Sequence, residues 1–175
     1  CDGFFYRKKV VAVVGGGDTA CEEAIYLSNL AKKVYLIVRK DYLRASKIMQ
    51  QRVFDNENIE VLFNTNTVGL FGEDGVEGAH LVRHKGTENE EFFDIDIDGF
   101  FLAIGHKPNS DVFKKYLKTD ETGYFVSADS SGVKTVVPGV FVAGDCRSKE
   151  VRQLTTACAD GACAAVAAAA YCRKA

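Results

Sequence analysis

The residues with the clearest chemical meaning lie in Val10–Ala24, VVAVVGGGDTACEEA. Gly15, Gly17 and Ala20 fit the form G-x-G-x-x-A, with Gly16, Asp18 and Thr19 between them. Each position has a use in a dinucleotide site: Gly15 allows a tight turn, Gly17 lets backbone approach a pyrophosphate, and Ala20 lets a helix pack closely on a sheet. A helix starting here would offer unpaired N–H groups and partial positive charge to phosphate. A plain tight turn is the alternative. The next chemically loaded cluster is Arg39, Lys40 and Arg44. An acidic residue about 20 positions past the glycines marks a site for an unphosphorylated ribose. Cations there suit a 2′-phosphate, which favours NADP(H) over NAD(H). A solvated basic turn, partly neutralised by Asp41, is the other reading.

These residues need elements to hold them. The apolar β-branched run Val10–Val14 reads as a strand, Asp18–Leu30 as a helix and Lys33–Val38 as a second strand. Together they make a βαβ unit with parallel strands and a right-handed crossover. Leu43–Phe54 reads as a second helix and Ile59–Phe63 as a third strand. Thr67–Phe71, Glu77–His84 and Glu91–Ile97 are short runs separated by turn signals at Gly72–Gly75 and Gly86–Asn89, which predicts an antiparallel meander packed on the parallel sheet. Gly99–Ile104 is expected to be a buried closing strand. Beyond the break at Gly105–Pro108, one helical piece (Asp111–Tyr116), two short strands (Tyr124–Ser127 and Val140–Ala143) and a long helix (Val151–Cys172) are expected. Cys1–Lys9 reads as a loop.

Composition bounds the rest. The 175 residues are 47% hydrophobic and 26% charged, with a formal net charge of −2, as in an ordinary globular protein of one domain or slightly more. That charge balance gives no reason to expect nucleic acid or an anionic membrane as a partner. The alanine-rich stretch Ala162–Tyr171 reads as too short and too weakly apolar for a membrane span. No pair of the six cysteines has C-x-x-C or zinc-ligand spacing, so no metal site is expected. Cys21, Cys158 and Cys163 read as small core residues, and a reducing cytoplasm is the default compartment. A first residue that is Cys leads to the expectation that more chain precedes it.

Several motifs then agree in order and spacing. CDGFFYR, VVGGGDTACEEAIYLS, RKDYLRASK, AIGHKPN, VPGVFVAGD and RQLTTACADGACAA resemble the second half of a bacterial-type, low-molecular-weight thioredoxin reductase. The resemblance runs from residue 1 to about residue 172. It implies electron flow from NADPH through FAD to a C-x-x-C disulfide and on to thioredoxin. Cys1 matches the second cysteine of that pair, and Asp2 the adjacent acid that exchanges protons with the thiolates, a chemistry that needs both a thiolate and a proton donor. Gly15, Gly16, Gly17, Asp18, Thr19 and Ala20 match the NADPH pyrophosphate loop, and Arg39, Lys40 and Arg44 the basic triplet. The family often has His-Arg-Arg where this chain has Val38-Arg39-Lys40, and lysine keeps the charge but loses the bidentate fork. Ile104 and Gly105 match the hinge leaving the NADPH domain. Gly144 and Asp145 match the motif whose Asp binds the ribityl chain. Arg152, Gln153 and Leu154 match the start of a helix lying on the isoalloxazine ring, where helix N–H groups favour a reduced flavin.

The fold class expected is therefore α/β: a Rossmann-like parallel sheet with an antiparallel meander over residues 1–105, then the second half of an FAD-binding domain over 106–175. Only one glycine motif occurs, so the first FAD-binding segment is expected to lie outside this chain, leaving exposed strand edges and apolar faces. A homodimer is the family expectation. Rival readings are the flavoprotein subunit of an alkyl hydroperoxide reductase, which Arg39-Lys40 disfavours among NADH-dependent relatives; a ferredoxin–NADP reductase-like flavoprotein, which Cys1 disfavours; and a non-catalytic NADPH-binding module.

Overall fold

The computed structural model describes residues 2–173. The chain divides into two compact units, Cys1–Gly105 and His106–Ala175, each with its own architecture.

The first unit contains, in order, β1 (Val10–Val14), α1 (Asp18–Ser28), β2 (Lys33–Ile37), α2 (Lys47–Phe54), β3 (Ile59–Leu62), β4 (Thr65–Phe71), β5 (Gly78–Arg83), β6 (Glu91–Asp96) and β7 (Gly99–Leu102). Four strands form a sheet in the order β3-β2-β1-β7, and its pairings are all parallel. The other three form an antiparallel sheet, β4-β5-β6. Period-2 alternation sorts the parallel strands into two faces. Val11, Val13, Val34 and Leu36 join Ala20, Ala24 and Leu27 of α1 and Val53 of α2 in one core. Ala12 and Ile37, together with Leu62, face the other way and pack with Ala79 and Leu81 of β5 and with Ile97. The unit is thus three layers, helices on a parallel sheet on a meander, as the hydrophobic pattern predicts.

Several boundaries differ from expectation, the strands β2 to β6 by one or two residues at an end and others for identifiable local reasons. Asp2–Tyr6 is a 3-10 helix rather than a loop; Tyr6 anchors it by packing edge-on against Phe101, with ring centres 5.2 Å apart. The second helix starts at Lys47, not Leu43, because residues 43–46 are drawn back to the glycine turn. Arg44 and Ala45 donate their N–H groups to the Gly16 carbonyl at 2.6 and 3.2 Å, while Leu43 and Ala45 fill the core. α1 stops at Ser28, two residues early. β7 ends at Leu102, and Leu102 and Ile104 are each 67% exposed rather than buried, since β7 is an edge strand paired with β1 alone.

The second unit is mostly irregular. It holds a 3-10 turn at Gly144–Cys146 and α3 (Leu154–Cys172). The expected helix at Asp111–Tyr116 is a run of turns. The expected strands each make only single bridges, Phe125 to Thr119 and Arg147, and Phe141 to Lys134; without an adjoining ladder an extended segment gains too few paired groups to become a strand. α3 begins at Leu154, not Val151, because Thr156 Oγ1 accepts the Gln153 N–H at 3.0 Å and caps it there. Cys21 is buried as expected, and burial pushes its thiol up to about 11. Cys158 and Cys163 are exposed instead, because Asp160 is the one described residue of α3 that is buried. With 19 residues, α3 is long and apolar enough to cross a membrane by length and composition, contrary to the reading of Ala162–Tyr171 alone. It is tied to its own unit through Asp160, which pairs with Arg147 at 3.0 Å and Lys149 at 2.9 Å.

Candidate functional site

In an open parallel sheet, ligands bind beyond the carboxyl ends of the strands where the strand order reverses. Here that point lies between β1 and β7, since the chain goes from β1 outward to β2 and β3 and returns to β1's other side. Ala103, just past β7, donates its N–H to the Val14 carbonyl at 2.9 Å. Gly15, just past β1, has φ +150, and a Cβ there would run into the Ala103 carbonyl and stand 2.7 Å from the Ala20 Cβ. Gly15 is therefore required by close approach, and Ala20 by the same crowding. Gly17 is different: a Cβ on it would meet nothing within 4 Å. It caps α1 without any side-chain hydrogen bond, so the first-turn N–H groups of the helix remain available to an anion.

Beside this turn is a cleft of about 660 Å³. Gly15, Gly16, Arg39, Lys40, Arg44 and Ile104 line it, together with Tyr42, Thr67 and Leu102. Sequence positions 15 to 104 are thus brought to one place, three cations among them, whereas Gly17, Asp18, Thr19 and Ala20 are not among the lining residues. None of Arg39, Lys40 and Arg44 forms an ion pair with a described carboxylate. Asp41 does not neutralise them through any such pair. The loop carrying them is fixed by Gly16, as above, and by Asp18, whose Oδ1 accepts the Ser46 N–H at 2.9 Å. That N–H, and then the Ser46 hydroxyl, hold the Asp18 carboxyl below its ordinary range. Asp18 and Thr19 are exposed at the start of α1.

The chain as a whole is similar to known proteins. The family model described as pyridine nucleotide-disulphide oxidoreductase matches residues 1–161. The chain belongs to that family. It is 46% identical over 168 residues to a thioredoxin reductase of Dictyostelium discoideum, covering 95% of this chain and 51% of that relative. It is 44% identical over 174 residues to a thioredoxin reductase of Peptoclostridium acidaminophilum, covering 98% and 55%. Among solved structures, thioredoxin reductase from Streptococcus pyogenes MGAS5005 superposes with a TM-score of 0.85 at 37% identity, over 99% of this chain and 56% of that one. The Giardia duodenalis enzyme gives 0.79 at 34%, again over 99% and 56%. The chain spans about half the length of the relatives it matches.

In this oxidoreductase-family chain the remaining expected residues fall elsewhere than the cleft. Cys1 lies outside the described residues. Asp2 is exposed in the first turn of the 3-10 helix. Gly105 takes φ +88, which suits a glycine at the exit from the first unit. In the second unit Gly144 has φ +78, so a side chain there would be strained. Its N–H donates to Asp160 Oδ2 at 3.2 Å. The Asp145 carboxylate is exposed, and its one ion pair among the described residues, to Lys149, is long at 3.9 Å. Arg152 lies over the Tyr124 ring at 3.7 Å and donates to the Asp145 carbonyl at 3.4 Å. Gln153 caps α3, and Leu154 is exposed at its start.

Three features had no sequence signal: Tyr42 at the cleft, Ser46 as the partner of Asp18, and the Arg147–Asp160–Lys149 triad. Burial alone would raise the Asp160 carboxyl, but the Lys149 hydrogen bond and the positive charges of Arg147 and Lys149 outweigh it and hold it low.

Proposed function

We propose that the cleft of the first unit binds NADPH and that the chain serves thioredoxin-disulfide reduction, electrons passing from NADPH through FAD to a redox-active dithiol/disulfide and then to thioredoxin. The observation that carries this reading is that Gly15 and Gly16 of the glycine turn line one cleft with Arg39, Lys40 and Arg44, three cations that form no ion pair among the described residues, while Gly17 beside it leaves open space at the start of α1. The turn suits a pyrophosphate and the cations suit a 2′-phosphate. Likeness to thioredoxin reductases along nearly the whole chain supports the reaction. A bound flavin supplies two-electron acceptance from the nicotinamide and passage to a disulfide. For it, Gly144 offers a turn that only glycine adopts without strain, and Asp145 an exposed carboxylate suited to ribityl hydroxyls. Arg152, Gln153 and Leu154 open α3, whose N-terminus favours negative charge on a reduced ring. Cys1 is assigned as one sulfur of the redox pair, with Asp2 as its proton partner. The active species is proposed to be a cytoplasmic homodimer, with α3 packed within the protein rather than spanning a membrane.

An absorption spectrum tests the reading. The chain is incubated with excess FAD, desalted, and then treated with NADPH without oxygen. Retained flavin bands that bleach support the assignment. A colourless protein overturns Gly144, Asp145 and α3 as a sufficient flavin site and leaves an NADPH-binding module.

A further inference from the structure

The three cations of the cleft are not equivalent. Arg39 and Arg44 carry planar guanidinium groups that match a phosphate in two places at once, whereas Lys40 carries a point charge on a flexible stem. The structure gives that stem a fixed end. Lys40 Nζ donates to the Tyr42 hydroxyl at 2.7 Å and stands 4.9 Å from the centre of the Tyr42 ring. Both residues line the cleft. Their loop is itself anchored, since Arg44 and Ala45 donate to the Gly16 carbonyl, Ser46 donates to Asp18, and Leu43 is buried. The partner is a hydroxyl rather than a carboxylate, so it brings no opposing charge, and two of the three ammonium N–H donors remain for a ligand.

We propose that Tyr42 is a specificity-determining positioning residue: it holds the Lys40 ammonium at the cleft wall so that a lysine can do the work of an arginine toward a ribose 2′-phosphate. This rests on the NADP(H) reading of the cleft. Tyr42 acts through Lys40, by hydroxyl and ring together. It therefore affects ligands that carry a 2′-phosphate and leaves those without one alone.

Isothermal titration of the full chain with adenosine 2′,5′-bisphosphate and with 5′-AMP tests this. Tyr42→Phe keeps the ring and removes the hydroxyl. It is expected to weaken the bisphosphate by about three- to tenfold, the range for one hydrogen bond held in place, with 5′-AMP unchanged. Lys40→Arg brings its own fork, so Tyr42→Phe in that background is expected to be silent. Unchanged bisphosphate binding in Tyr42→Phe, or equal weakening of both probes, overturns the role of Tyr42. A wild-type chain with no preference for the bisphosphate overturns the cleft reading itself, and the role of Tyr42 with it.

Discussion

Asp18 Oδ1 accepts the backbone N–H of Ser46 across 28 residues of chain. This bond joins the first turn of α1 to the loop that carries Arg39, Lys40 and Arg44, so the glycine turn and the basic triplet are tied together. It also turns the Asp18 carboxylate toward Ser46. Asp18→Ala is expected to weaken NADPH binding severalfold by loosening Arg44. Asp18→Asn keeps an oxygen acceptor and is expected to stay near wild type. Fluorescence titration with NADPH separates the two variants; equal weakening by both would show that charge, not the tether, matters.

Two glycines two positions apart should respond in opposite ways. At Gly15 an added methyl group meets the Ala103 backbone and the Ala20 Cβ, so Gly15→Ala is expected to destabilise the fold by about 2–3 kcal/mol, as overpacking does. At Gly17 the space is open and φ is −96, so Gly17→Ala should fold normally. It is expected instead to weaken NADPH binding by blocking backbone approach to the pyrophosphate. Thermal melting and NADPH titration on both variants check the contrast.

How much of this was legible follows from which residues act locally. The strand, turn and helix around Gly15–Ala20 could be read because each position has one steric use. The basic triplet could be read from its distance past the glycines. The start of α2 could not, because the Gly16 carbonyl outcompetes the helical pattern of Leu43–Ser46 only once the chain has folded back. Tyr42 was silent for the same reason: its hydroxyl matters only beside Lys40. In the second unit the apolar run Val140–Ala143 predicts a strand, but Phe141 is bridged only to Lys134 among the described residues. The cysteines of α3 read as core from their alanine-rich setting, yet that surface is exposed.

Acid should act on the second unit through Asp120. The Ser148 hydroxyl foremost, then Thr122 and the Tyr124 N–H, lower its carboxyl to about 2. A depressed folded-state value means stability that is fully present above the unfolded value, near 4, and lost as pH falls toward 2. Asp120→Asn is therefore expected to melt below wild type at pH 6, with the gap closing between about pH 4 and pH 2. A gap that stays constant across that range would contradict the assignment.

Asp160 is the link between α3 and the Gly144 turn. It is 9% exposed and faces Arg147, Lys149 and the Gly144 N–H. Asp160→Ala leaves Arg147 without an ion pair among the described residues and Lys149 with only its long one to Asp145, and is expected to cost about 3 kcal/mol. Adding Lys149→Met to Asp160→Ala removes one of them and should recover part of the loss. Denaturant midpoints of the single and double variants measure this; no recovery would show that the triad does not act as a unit.

The most direct measurement is a pair of titrations of the full chain, with NADPH and with NADH, on wild type and on Arg39→Ala/Arg44→Ala. NADPH is expected to bind wild type at least about tenfold more tightly than NADH, and the double variant to lose that preference while still binding NADH, since charge-assisted bonds to a phosphate are each worth a factor of about ten or more. Equal affinity for the two dinucleotides in wild type, or no binding of either, would contradict the assignment of this cleft.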